Sequence, residues 1–140
     1  MRGKYFLDTN IFVHSFNPKE NNKRLRSLEL ISIAIDKQIG CVSYQVIQEF
    51  LNVATRKFIK PLSVSDCQRY LNSVLEPLCE VFASVGLYNQ ALEISERWRY
   101  SFYDSLIIAA AANSKCSILY SEDLQHGQKV QDLIIINPFG

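Results

Sequence analysis

The sequence is poor in the groups that most often mark a catalytic site. It holds two histidines, His14 and His126, and no nucleophile elbow, so Ser–His–Asp hydrolysis has no support. No glycine-rich phosphate loop is present. The four cysteines, Cys41, Cys67, Cys79 and Cys116, are too far apart for a C-x-x-C pair. Two of them fall in strand-like apolar runs, and buried reduced thiols are the ordinary reading. No apolar stretch approaches the ~18 residues of a membrane span. The N-terminus is basic, but Asp8 and Asn10 interrupt its apolar run and no small-residue cleavage site follows, so the expectation is a soluble, cytoplasmic protein. The formal net charge is +1, which excludes a strongly basic protein that coats nucleic acid nonspecifically. A polyanion would have to meet a local patch.

What is present suits one folded domain. The chain has 140 residues, 48% of them apolar and 21% charged, with no internal repeat, low-complexity segment or linker. Residues 4–7 read as a buried strand. The spacing of Leu25, Leu28, Ile31 and Ile35 predicts a helix over 22–37, with Gly40 as its stop. Residues 41–43 read as a strand, and Ser43 as the N-cap of a helix to about Lys57. Pro61 breaks the chain. Ser63 starts a further helix, with Pro77 as its stop. Residues 79–84 read as a third strand, 87–98 and 102–114 as helices, and 117–121 and 133–137 as the fourth and fifth strands. Strands alternating with helices predict an α/β fold with a parallel sheet. In such sheets ligands bind beyond the C-terminal strand ends, where strand order reverses.

Several acids fall where that rule directs attention. Asp8 ends the first strand, in "YFLDTNIFVHSF", between two runs that belong in a core. A helix cap would account for it as well. Asp123 follows the fourth strand in "LYSEDLQHG", where a turn is the ordinary explanation. Asp104 opens an apolar helix, "SFYDSLIIAAAANS". Ser101 and Asp104 match a capping box, yet the same helix start would aim Asp104 at the strand ends. Glu49, in "YQVIQEFLNVA", lies on the flank of an apolar face centred on Val46, Ile47, Phe50 and Ala54. A solvated surface Glu is the default there. Carboxylates drawn together repel by roughly 4 kcal/mol per pair at ~4 Å and an effective dielectric of 20. Protonation or a bound cation relieves that. An all-oxygen donor set suits Mg²⁺ or Mn²⁺ rather than zinc, and such an ion serves phosphodiester hydrolysis.

Four motifs, "FLDTNIFV", "SYQVIQEF", "YDSLIIAAA" and "LYSEDL", occur in an order and spacing that resemble the PIN-domain ribonucleases. Among these, the chain is most similar to the compact VapC-type toxins of bacterial toxin–antitoxin pairs. The resemblance covers nearly the whole chain and implies a single PIN domain over 1–140. The implied fold is a five-stranded parallel sheet of order 3-2-1-4-5 with helices on both faces. The implied metal ligands and catalytic residues are Asp8, Glu49, Asp104 and Asp123, with Mg²⁺ or Mn²⁺ as cofactor. Asn10 and Ser121 resemble polar helpers that orient Asp8 and the fourth carboxylate. The family usually has Thr where this chain has Ser121. Glu122 competes with Asp123 for the fourth place, and Asp123 is preferred because it sits two residues past Ser121. The resemblance implies an endoribonuclease acting on RNA, restrained by an antitoxin and often a homodimer.

Other readings attach to particular residues. A housekeeping RNA-processing nuclease, or a non-catalytic RNA-binding PIN-like module, would share the same fold. A phosphatase using Asp8 as nucleophile normally wants a second acid two residues on, where this chain has Asn10. A receiver domain would need an acceptor Asp after a middle strand, and the third strand ends in "ASVG". Basic residues gather at Lys19, Lys23, Arg24 and Arg26, at Arg56, Lys57 and Lys60, and at Arg97 and Arg99. Each cluster is ordinarily a solvated face. Arg97, Arg99 and Tyr100 precede the Asp104 helix and are the first candidates for RNA contact. Residues 22–37 and 63–75 carry Leu25, Leu28, Ile31, Val64, Leu71 and Val74. That is more apolar surface than two lids over a sheet need, and a groove for an amphipathic partner segment would use the rest.

Overall fold

A computed structural model describes residues 3–140; residues 1 and 2 lie outside the described residues. The chain runs β1 (Tyr5–Leu7), α1 (Thr9–His14), α2 (Asn21–Asp36), β2 (Gly40–Ser43), α3 (Tyr44–Arg56) and α4 (Val64–Tyr70). A π-helical turn (Leu71–Leu75) leads into α5 (Glu76–Leu78), then β3 (Cys79–Val81), α6 (Val85–Trp98) and α7 (Phe102–Asn113). The chain closes with β4 (Ile118–Tyr120), β5 (Lys129–Val130) and β6 (Leu133–Ile136).

The strands form one sheet of order β3-β2-β1-β4-β6-β5. Every pairing is parallel except β5 with β6. The expected five strands and their order are therefore present, the fifth being β6. The sheet differs by a sixth, antiparallel edge strand. Lys129 and Val130 hold too short an apolar pattern to read as a strand. They pair because Gln131 takes a left-handed conformation (φ 56°) that turns the chain back onto Leu133.

The central strands are buried on both faces, as parallel strands require. Phe6, Leu7, Ile11, Phe12, Val42, Val46 and Phe50 are fully buried within one continuous core. Helix α7 is the most enclosed helix: Ser105 through Ala111 are all buried. Its run of small and aliphatic residues on every side matches that position.

Three local expectations are corrected. The helix over 22–37 ends at Asp36, and Gln38 in the left-handed region (φ 55°) makes the turn, not Gly40. Gly40 instead opens β2, where a Cβ would lie 2.2 Å from Ala34 Cβ. Pro77 does not stop the helix begun at Ser63. The chain widens to a π turn over Leu71–Leu75 and carries Pro77 into α5. The wider turn accommodates the missing N–H and the ring's clash with the preceding turn. The third strand covers Cys79–Val81 only, and Phe82 beyond it is 62% exposed.

Candidate active site

The parallel strands β1, β2 and β4 end side by side, and each delivers a polar residue to the same edge. The Asp8 N–H donates to Tyr120 O at 3.0 Å, extending the β1–β4 ladder by one residue. The chain then turns into α1. Asp8 caps that helix, with Oδ1 accepting from Thr9 N–H at 2.7 Å. Capping is therefore real, but it uses one oxygen. The other, Oδ2, accepts from the Ser121 hydroxyl at 2.7 Å, just past β4. Both Asp8 and Ser121 are buried.

Glu49 reaches the same edge from α3. Its Oε1 accepts from Thr9 Oγ1 at 2.6 Å, and its Oε2 from Gln45 Nε2 at 3.0 Å. Gln45 Nε2 also donates to Tyr103 O at 3.2 Å. It thereby links the Glu49 carboxylate to the first turn of α7, one residue from Asp104. Asp104 is half-buried, and its N–H donates to Ser101 Oγ at 3.2 Å. Only this half of the capping box forms among the described residues. The Asp104 carboxylate does not bond back to Ser101, so a cap does not use it up.

Asp123 is the most exposed of the four acids. Asn10 Nδ2 donates to its Oδ2 at 3.1 Å, and its own N–H donates to Ser121 Oγ at 3.2 Å. The Ser121 hydroxyl thus accepts from Asp123 and donates to Asp8. Asn10 accepts from the Glu122 N–H through Oδ1 at 3.3 Å. The two residues expected as polar helpers bridge β1 and β4.

Glu122 turns the other way. Its Oε1 lies 2.7 Å from His14 Nε2, and its Oε2 pairs with the Lys23 ammonium. Partial burial pushes its carboxyl upward, but the Lys23 and His14 contacts outweigh that and hold it below the ordinary range. Asp8 shows the opposite balance. Burial pushes its carboxyl up to about 6, its two hydrogen bonds oppose this, and the charges of Glu49 and Asp123 add to the rise. No Lys or Arg bonds to Asp8, Glu49 or Asp123 among the described residues.

Among the described residues, no three Asp, Glu, His or Cys side chains close into a ready-made metal cage. The side chains of Asp8, Glu49 and Asp123, which act on one another, offer oxygen atoms alone. That suits Mg²⁺ or Mn²⁺, which take a few carboxylates and keep waters.

Arg97, Arg99 and Tyr100 lie at the α6–α7 junction. The Arg97 guanidinium sits 5.3 Å from the Trp98 ring centre, and Arg99 closes α6 at φ 67°. Tyr100 is half-buried. Its hydroxyl donates to Gln128 Oε1 and accepts from the Gln125 N–H at 3.4 Å, tethering the loop after β4. Sequence reasoning missed Thr9 and Gln45 as the holders of Glu49. Thr9 adjoins Asp8, which was its one signal. Gln45 had none beyond lying one helical turn before Glu49.

Fold and site together define an α/β protein with an acidic crevice at the strand ends, where Asp8, Glu49 and Asp123 act on one another and the Gln45–Tyr103 bond comes within one residue of Asp104. The chain belongs to the PIN domain family, whose model matches residues 5–130. No curated relative matches it by sequence. Its fold is similar to that of a toxin–antitoxin complex from Klebsiella pneumoniae (12% identity, TM-score 0.68, covering 96% of this chain and 98% of that one). It is also similar to VapC20 of Mycobacterium tuberculosis, a sarcin–ricin loop cleaving toxin (18%, 0.59, 86% and 90%). A third neighbour is DNA-bound VapBC from Salmonella typhimurium (18%, 0.63, 96% and 97%).

Proposed function

We propose that this PIN-domain protein is a Mg²⁺- or Mn²⁺-dependent endoribonuclease, the toxin of a toxin–antitoxin pair. The observation that carries the reading is the surplus of negative charge at the strand ends. Asp8 is buried, its carboxyl is pushed up by burial and by two further acids, and among the described residues no basic side chain bonds to them. Asp8, Glu49, Asp104 and Asp123 would hold the ion. When bound, it would supply Lewis-acid activation of a water and of the phosphodiester oxygens.

The protein's own residues orient and charge the site. Ser121 and the Thr9 N–H fix both oxygens of Asp8, leaving its remaining lone pairs for the crevice. Thr9 and Gln45 hold Glu49, and Asn10 holds Asp123. Arg97, Arg99 and Tyr100 are proposed to meet the RNA backbone. Residues 1–140 are read as one PIN domain, supported by the continuous core.

A cytoplasmic location is part of the same reading, and no helix among the described residues is long and apolar enough to cross a membrane. An antitoxin partner is proposed from the neighbours, which include toxin–antitoxin complexes, and a homodimer from the family resemblance. The test is to incubate the purified protein with total RNA, with and without Mg²⁺ or Mn²⁺, and to map new ends. Discrete ends that need the metal support the reading. Metal-independent RNA binding without cleavage favours the non-catalytic module.

A further inference from the structure

Glu122 stands beside the proposed ligand Asp123 but outside the crevice, and both its oxygens are committed. One meets His14, the last residue of α1, and the other meets Lys23, in the first turn of α2. These are not solvent-exposed pairs: the side chains of His14, Glu122 and Lys23 are 15%, 25% and 33% exposed. Phe139 closes over them. Its ring meets the His14 ring edge-on at 4.9 Å, and the Lys23 ammonium lies 5.7 Å from its centre. A partly buried network with both carboxylate oxygens engaged restrains geometry far better than an isolated surface pair.

The backbone of the same turn is tied down separately. The Glu122 N–H donates to Asn10 Oδ1, and Asn10 returns a bond to Asp123 Oδ2. The Asp123 N–H donates to Ser121 Oγ, which donates to Asp8. The adjacent acids therefore point to opposite sides, one clamped and one towards the crevice. Without the clamp, the turn after β4 would be held only by the Asn10 and Ser121 side-chain bonds and the Ser121 N–H bond to Ile136 O.

We infer that Glu122 is a positioning residue: held between His14 and Lys23, it fixes the 121–123 turn so that Asp123 and Ser121 stay set against Asp8, and so tunes how tightly the crevice holds a divalent cation. This rests on the metal-dependent reading above. Orientation of ligands by the residues behind them governs affinity in metal sites generally.

The test uses Glu122→Ala, Lys23→Met, the double variant, and Glu122→Gln as the conservative control. Gln keeps the length and can still accept from Lys23. In metal-free buffer, amide hydrogen exchange is read at Glu122 and Asp123. Both clamp-breaking variants should speed it by about tenfold or more, while amides in the middle of α7 hold their rates. Mn²⁺ affinity is then read by electron paramagnetic resonance. It should fall by about tenfold in each single variant and no further in the double, because the two residues act as one unit. Glu122→Gln should lose less than about tenfold, and saturating Mn²⁺ should restore RNA cleavage in all variants without a change in KM for RNA. Unchanged exchange, or faster exchange with wild-type Mn²⁺ affinity, overturns the positioning role. Wild-type protein that binds no Mn²⁺ overturns the metal reading by itself, and the exchange rates still decide whether the clamp orders the turn.

Discussion

Asp8 carries a carboxylate where a neutral group would be easier to bury. Its carboxyl is pushed up to about 6, above its value in an unfolded chain, so between about pH 4 and 6 the folded state binds more protons than the unfolded state. The contribution of Asp8 to stability therefore falls as pH rises through that window, against the opposite contribution of Glu122, whose carboxyl is held below the ordinary range. In metal-free buffer, Asp8→Asn should remove this fall and raise stability at pH 7 by about 2 kcal/mol, read by urea unfolding at pH 5 and pH 7. A wild-type protein that gains stability from pH 5 to 7 more steeply than the variant contradicts the account. Glu122 and Asp123 are adjacent acids in opposite settings, and their variants should separate. Asp123→Asn should abolish cleavage, and Glu122→Gln should cost under about tenfold; the reverse moves the fourth ligand to Glu122. Asp8 was legible because a charged residue stood between two apolar runs. Glu49 was nearly illegible, since a Glu flanking an apolar helix face is ordinary, and Thr9, which holds it, lies 40 positions away.

The elements show where local signals mislead. Gly40 carries a stop signal in sequence, but its role is close approach. A Cβ there would meet Ala34 Cβ at 2.2 Å and the Tyr5 ring at 3.3 Å. Gly40→Ala should cost about 1–3 kcal/mol by forcing α2 away from the sheet, measured by chemical denaturation. A loss under about 0.5 kcal/mol would mean that the helix shifts freely. Periodicity placed α3 and α6, because each has an apolar face tied to the core. It found α2 but mistook its face: Leu25, Leu28 and Ile35 are exposed, and Ser27, Leu30, Ile31 and Ala34 meet the core. Helix α7 is buried on every side and was legible from its unbroken apolar run. Periodicity did not place the π turn before Pro77, since a proline reports that something must yield and not how. Ser43, Ser63, Ser84 and Ser101 all cap helices. Ser43 and Ser63 were readable as such because each stands just before a periodic run.

At the scale of the molecule, the order β3-β2-β1-β4-β6-β5 sets the β1 and β4 ends side by side and so joins Asp8 to Ser121 and Asp123 across the chain. That juxtaposition followed from the family resemblance and the strand-end rule; composition carried no trace of it. The surface that an amphipathic partner could use is present. Leu25, Leu28 and Val64 are 52%, 42% and 72% exposed, whereas Ile31 is buried and Leu71 and Val74 are half-buried. A bound segment that sends an Arg to the carboxylates would compete with the cation. Its binding should then weaken Mn²⁺ affinity, and excess Mn²⁺ should weaken its binding by the same factor, because linkage is reciprocal. The check is a titration of a co-encoded small protein at several Mn²⁺ concentrations. Affinity independent of Mn²⁺ rules out the Arg and leaves steric covering.

The most direct test of the whole account is RNA cleavage by wild type, Asp8→Asn and Asp104→Asn, each titrated with Mn²⁺ after chelation. Wild type should show saturable activation by Mn²⁺, and each variant, while still folded, should lose about a thousandfold or more. Wild-type cleavage that survives chelation, or either variant cleaving at nearly the wild-type rate, would contradict the metal-dependent reading.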